Sequence, residues 1–204
     1  MNSNDKTILS ILYVCQLNGN STFEAIRKNS IISKEEINFK IDELTEKQLV
    51  NVDRRTLTEI GRRSLCVVLT GGIFDIIHPG HIQTLNAAKA LGDVLVVVVG
   101  TDTNAVKKKK DIIHSQDERK ELVNSLSMVD LCLMGQESSM FNTVNRVKPD
   151  IIALGYDQLH QEKFITKGCK KINLGVKVVR LQSLNPKISS SNIKKEYGND
   201  IHKT

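Results

Sequence analysis

Apolar side chains recur along this chain in two rhythms, and the change between them falls near Ser64. From Lys6 to about Arg63 the spacing is helical. Ile8, Leu9, Ile11, Leu12 and Cys15 mark one buried face of a first helix, which Asn18-Gly19 ends. Ser21 with Glu24 and Ser33 with Glu36 have the S-x-x-E spacing at which a serine and a glutamate cap each other's backbone amides, so each pair predicts a further helix. On the third helix Ile37, Ile41 and Leu44 share a face. Leu49 to Thr58 then has the pattern of a short hairpin turning at Asp53-Arg54-Arg55, closed by Glu59-Ile60-Gly61-Arg62. After Ser64 the pattern becomes one of continuous, β-branched runs. Strands are predicted at Cys66–Leu69, Val94–Val99, Asp130–Met134, Asp150–Leu154 and Val176–Leu181. Helical stretches separate them at about 79–91, 116–126, 138–147 and 158–171, and a last helix begins near Ser190.

Strands that are apolar on both sides need helices on both sides. The second part is therefore expected to be α/β, a Rossmann-like, doubly wound, parallel five-stranded sheet that binds ligands at the carboxyl ends of its strands. Two domains are expected, 1–64 small and mainly helical, and 65–204 carrying the sheet. Three helices and a hairpin resemble a winged helix-turn-helix, and the L-T-x-x-G-R ending at Leu57–Arg62 is typical of such domains. Charge argues against the usual use of that fold. Between Lys34 and Lys47 the third helix sets three lysines against Glu35, Glu36, Asp42, Glu43 and Glu46, a balance that DNA phosphates would repel. Arg54, Arg55, Arg62 and Arg63 remain as possible backbone contacts, so DNA ranks below a dimerising or regulatory role for this domain.

The net charge of +6 is unevenly placed, with ten basic and nine acidic side chains in residues 1–64 and nineteen and fourteen in the remainder. That excess suits phosphate-rich small molecules. The longest uncharged apolar run, Val94 to Gly100, is far short of the ~20 residues of a membrane span. Met1 to Lys6 carries no basic-then-apolar leader, so a cytoplasmic protein is expected. Cys15, Cys66, Cys132 and Cys169 form no C-x-x-C pair; they are expected to be reduced, with Cys66 and Cys132 as small core residues.

The most specific chemistry lies in Gly72-Ile73-Phe74-Asp75-Ile76-Ile77-His78-Pro79-Gly80-His81, directly after the first strand. Pro79 suits the first turn of a helix. His78 and His81, three residues apart, then project from one side of its start. Gly72 and Gly80 are expected to leave room for a phosphate, and the helix amino end adds unpaired N–H groups. A metal pair would be spaced by four with a glutamate between, and no third ligand is evident, so no protein-held metal is expected.

These residues resemble the signature G-x-F-D-x-x-H-x-G-H of the cytidylyltransferase-like nucleotidyltransferase superfamily, and the resemblance extends over residues 66 to about 197. It implies that Gly72, Ile73, Phe74 and Gly80 form the nucleotide loop, with Ile73 where many members have Thr. His78 and His81 would stabilise the α and β phosphates. Lys107 to Lys110 match the family's phosphate-contacting lysine. Arg119, in Glu118-Arg119-Lys120, would organise the nucleotide site and hold the acceptor or triphosphate. Ser189, Ser190 and Ser191 match its serine turn, which grips the leaving group. The implied reaction is attack of an acceptor phosphate on the α-phosphorus of a nucleoside triphosphate, with Mg²⁺ carried by the triphosphate.

The segment Val147 to Gln158 closely resembles archaeal-type FAD synthases, which transfer AMP from ATP to FMN. Asp157 would then lie beside the nucleotide or acceptor, or simply cap the next helix. Two features keep CTP and glycerol 3-phosphate open as alternatives. Leu184-Asn185-Pro186-Lys187 replaces the cysteine-containing tail of FAD synthases, and only Phe74, Phe141, Tyr156, Phe164 and Tyr197 are available to stack on a flavin. A DNA-binding regulator that uses the fold only as a nucleotide sensor is a third class, disfavoured by the intact histidines, Arg119 and serine turn. The resemblance also implies a homodimer.

Overall fold

The computed structural model describes residues 3–19, 33–53, 56–107, 112–156, 158–182 and 188–201. They fall into two units, Met1–Cys66 and Val67–Thr204. In the first, helix α1 (Ser3–Asn18) ends at Gly19, whose φ of 72° is the left-handed conformation glycine adopts at little cost. Helix α2 (Lys34–Glu46) opens on the expected capping box, with Ser33 Oγ accepting from Glu36 N and the Glu36 carboxylate accepting from Ser33 N. Ile8, Leu9, Leu12, Ile37, Ile41 and Leu44 are all buried, as their periodicity requires.

Of the expected hairpin, the described residues show an antiparallel bridge between Val50 and Leu57. Side chains take over the turn: Thr56 N and Oγ1 both donate to the Asp53 carboxylate, and Asn51 Nδ2 donates to Thr56 Oγ1. The L-T-x-x-G-R ending now has a local reason. Leu57 is buried, and Thr58 Oγ1 caps helix α3 (Glu59–Arg63) by accepting from Gly61 N at 3.0 Å. Gly61 lies against the backbone of Leu49, where a β-carbon would overlap the carbonyl oxygen. Arg62 spans the Leu65 carbonyl and the Tyr13 ring. The Ser21–Glu24 box, with the second expected helix, and the wing residues Arg54 and Arg55 lie outside the described residues.

The second unit is the expected parallel sheet: β1 (Val67–Gly72), β2 (Val94–Val99), β3 (Leu131–Met134), β4 (Ile151–Leu154) and β5 (Lys177–Arg180), in the order β3-β2-β1-β4-β5. Its helices are α4 (Pro79–Lys89), α5 (Asp102–Lys107), α6 (Gln116–Asn124), α7 (Met140–Val147), α8 (Leu159–Lys171) and α9 (Ser190–Ile201). The core gathers Val68, Leu85, Leu95, Val97 and Cys132, all buried. Burial pushes the Cys132 thiol up to about 12, as suits an inert core residue. Cys66 is only half-buried, contrary to the core position expected for it, because the ladder begins one residue later at Val67↔Val94.

Strand β1 also runs three residues past its expected end, through Thr70-Gly71-Gly72. There Gly71 pairs with Val98 and Gly72 with Val99. An apolar-run criterion stops at the Thr-Gly-Gly. Helix α5 is likewise absent from the pattern, being short and started by Thr101 Oγ1, which accepts from Asn104 N. At the opposite edge Asp130 and Asp150 act as strand staples: Asp130 Oδ2 accepts from Leu95 N at 2.6 Å and Asp150 Oδ2 from Val67 N at 2.7 Å. Among the described residues no helix is long and apolar enough to cross a membrane.

Sheet order reverses direction between β1 and β4, and such a switch point opens a crevice beyond the strands' carboxyl ends. As for the first unit, Gly61→Ala is expected to destabilise it by about 2 kcal/mol, since the new methyl meets a backbone oxygen that cannot turn aside. Urea unfolding of the purified chain measures this.

Candidate active site

The loop from Ile73 to His78 leaves β1 and enters α4, and three attachments fix its course. The first is at Ile73, whose carbonyl oxygen accepts from Arg119 Nη1 at 2.6 Å. Asp75 provides the second: its carboxylate, 3 % exposed, accepts from the backbone amides of Ile113 and His114 and pairs with Lys194. Burial pushes the Asp75 pKa up, but the His114 amide, the Lys194 ammonium and the Ile113 amide outweigh it and hold the carboxyl below its ordinary range. At Ile76 the carbonyl oxygen accepts from Ser190 Oγ at 3.1 Å, which ties the serine turn to the loop. Between these ties Phe74 sits at φ 56°, a left-handed conformation that costs a non-glycine residue of order 1 kcal/mol.

Helix α4 begins at Pro79 with His78 as its N-cap residue, and the His78 carbonyl accepts from His81 N at 2.9 Å. The two imidazoles stack, with centroids 3.9 Å apart and planes 26° from parallel, and the buried Phe74 ring tilts against His81 at 5.1 Å. His78 is 8 % exposed, and its Nδ1 is buried with no hydrogen-bond partner among the described residues. Burial lowers its pKa from the ordinary 6.5, so the ring is neutral at neutral pH.

A β-carbon on Gly72 would press on the Phe74 ring at 2.9 Å, and one on Gly80 would press on the His78 ring at 3.1 Å. The missing side chains at these two positions leave room for the rings that shape the site, and both glycines border its cavity.

These residues border a cavity of about 190 Å³ at the β1/β4 switch point. Its walls include Gly72, Ile73, Phe74, His78, Gly80 and His81 together with Ser189, Ser190 and Ser191 at the start of α9. Ser189 Oγ accepts from Asn192 N and so opens that helix. Sequence reasoning missed Asp75 and Lys194 as site residues, although Asp75 stands inside the signature and Lys194 one turn beyond the serines. Tyr156, one of the aromatic residues expected to be available for stacking, is also on the cavity wall, together with Gln158, which the sequence offered only as a single polar residue after β4.

Arg119, expected to organise the nucleotide site and to hold acceptor or triphosphate, is fully buried and is not on the cavity wall. Its Nε donates to the His114 carbonyl, Nη1 to Ile73 and Nη2 to Asp102 Oδ1, so its part is to position the loop. Lys107 is exposed at the end of α5 and is not on the cavity wall either. Lys110 and Asp157 lie outside the described residues.

Two predictions follow from this geometry. Because the folded pKa of His78 lies below its unfolded value, the unfolded chain binds the proton more readily. The stability this contributes is complete above about pH 6.5 and is lost as pH falls through the folded pKa. His78→Asn should therefore flatten the acid side of the stability profile, measured as urea midpoints between neutral and mildly acid pH. Arg119→Met leaves two carbonyls and a carboxylate without their donor and should cost roughly 3 kcal/mol. Arg119→Lys should recover only part of this, since an ammonium cannot reproduce the planar fork; denaturation of the two variants side by side checks it.

The cytidylyltransferase-like family model matches residues 69–196, more than half of the chain and all of the loop, histidine and serine segments. A FAD synthase of Picrophilus torridus is 42% identical over 124 residues, covering 61% of this chain and 89% of that protein. A FAD synthase of Aciduliprofundum boonei is 47% identical over 115 residues, 56% of this chain and 77% of that one. Among solved structures, the lipopolysaccharide core biosynthesis protein from Thermoplasma volcanium superposes with a TM-score of 0.57 at 42% identity, over 58% of this chain and 98% of that one. With the stacked histidines at the sheet's switch point and a family match spanning them, the chain belongs to the cytidylyltransferase-like family.

Proposed function

We propose that this chain is an FMN adenylyltransferase, which transfers AMP from ATP to FMN to give FAD and pyrophosphate. The observation that carries the reading is the stacked His78–His81 pair, which shares one small cavity with the serine turn and Lys194. Its relatives named FAD synthase support the choice of ATP and FMN.

In this reaction a phosphate oxygen of FMN forms a bond to the α-phosphorus while the bond from that phosphorus to the bridging β-oxygen breaks. The bonding electrons leave with pyrophosphate. The attacking oxygen is already anionic, so no base is needed. Charge gathers on the α-phosphoryl and bridging oxygens, and fixed hydrogen-bond donors there lower the barrier. His78 and His81 supply those donors. Burial keeps His78 neutral before the nucleotide arrives, and the arriving negative charge then strengthens its hold on a proton. The hydroxyls and amides of Ser189 to Ser191, with the Lys194 ammonium, receive the β and γ phosphates. Arg119 and Asp75 keep the loop in place without touching substrate.

Among the described residues no cluster of three or more His, Cys, Asp or Glu side chains is arranged for a metal ion. Mg²⁺ would enter on the triphosphate, where it would neutralise phosphate charge.

A pyrophosphate-release assay crossing ATP and CTP with FMN, glycerol 3-phosphate and no acceptor tests the proposal. Release with ATP plus FMN, abolished by chelator and restored by Mg²⁺, is the expected result; release confined to CTP with glycerol 3-phosphate would overturn it. His81→Ala should lower turnover about a hundredfold, the usual loss on removing one such donor, and near-normal turnover would contradict the assigned role.

A further inference from the structure

Behind the histidine site a second and larger cavity, about 450 Å³, opens on the other side of the carboxyl end of β1. The two share Thr70, Gly71, Gly72, Ile73 and Gln158 as walls, so a ligand lodged in one can reach the other across the end of the strand. Their chemistry differs. The first is bordered by imidazoles, serines and a lysine. The second mixes aliphatic residues of β1, β4, α7 and α8 and the rings of Phe141 and Phe164 with uncharged polar side chains, and among its described lining residues the charged one is Glu137. Its volume lies in the range of sites that enclose small organic ligands.

Phe141 and Phe164 stand with centroids 5.4 Å apart and rings tilted by 53°. Phe164 is 59% exposed and stands on the cavity wall. The Phe141 ring reaches across to α8 and ends where a β-carbon on residue 168 would be. Residue 168 is a glycine inside a thirteen-residue helix, where alanine would serve the helix better. The notch it provides is what allows Phe141 to stand back as a cavity wall.

We propose that the second cavity receives the planar ring system of the acceptor, with Phe141 and Phe164 as its aromatic walls and Gly168 as the positioning residue that sets its width. The inference rests on the reading of the chain as an FMN adenylyltransferase. The acceptor's ring lies against the phenylalanines, and its phosphate crosses Gly72 and Ile73 to meet the nucleotide at the histidines.

Steady-state kinetics on the full chain tests this, with FMN and ATP varied in turn. Gly168→Ala should push the Phe141 ring from its notch and raise KM for FMN about tenfold, leaving KM for ATP unchanged. Adding Phe141→Leu to it should relieve the clash but, with one aromatic wall gone, bring KM for FMN only part of the way back, again with KM for ATP unchanged. Equal KM changes for both substrates, or none, would overturn the proposal. If Gly168→Ala fails to fold, Phe164→Ala decides, because that side chain is mostly exposed and its loss is tolerated. A selective rise in KM for FMN supports the proposal, and an unchanged KM overturns it. Wild-type pyrophosphate release with ATP and FMN separates the two readings: if it is present while the variants leave KM for FMN untouched, only the cavity assignment fails, and if it is missing the activity itself is wrong. Riboflavin, which lacks the phosphate, supplies a readout free of turnover. Its fluorescence should be quenched by the wild-type chain and less by Phe164→Ala, and equal quenching would count against the aromatic walls.

Discussion

The loop between β1 and α4 has to be held rigid without a regular hydrogen-bonded ladder, and the organisation of the second unit follows from how that is done. Each tie comes from a different part of the chain. Arg119 on α6 takes the Ile73 carbonyl, the amides of Ile113 and His114 take Asp75, and Ser190 on α9 takes the Ile76 carbonyl. Buried hydrogen bonds to charged groups are worth more than neutral ones, and two of these ties are of that kind. Phe74 can keep its left-handed backbone only because its neighbours are fixed in this way.

Placing the histidines is the consequence. Once the loop is pinned, Pro79 starts α4 where His78 can cap it, and the three-residue spacing brings His81 into stacking distance. Gly80 and Gly72 make room for the His78 and Phe74 rings, so the loop sets the direction in which both imidazoles point. The serine turn meets them because Ser190 and Lys194, four residues apart on α9, bond Ile76 and Asp75 respectively. Binding site and loop clamp are thus partly the same residues, and a change at Asp75 or Lys194 acts on both.

Much of this was legible in the sequence because the signals were local. Val94–Val99 announced a strand buried on both faces and appears with those same ends. Ser33 with Glu36 announced a capped helix start, and both hydrogen bonds are present. His78 and His81 were readable as a pair because helical spacing alone sets their proximity. What escaped detection depends on contacts distant in sequence. Arg119 was readable as a residue that organises the nucleotide site, and only the fold shows it buried against Ile73 and Asp102. Asp75 and Lys194, over a hundred residues apart, give no pairwise signal in a single chain. The extension of β1 through Thr-Gly-Gly and the short helix α5 are set by neighbours rather than by composition.

The central claim is that the two imidazoles and the serine turn grip one polyphosphate chain. A crystal structure of the full chain with Mg²⁺ and an ATP analogue whose α,β-bridging oxygen is replaced by carbon tests it most directly. The account predicts α-phosphoryl oxygens within hydrogen-bond distance of both His78 and His81, and terminal phosphates on Ser189 to Ser191 and Lys194. An analogue whose phosphates lie elsewhere, with the two rings still stacked and untouched, would contradict it.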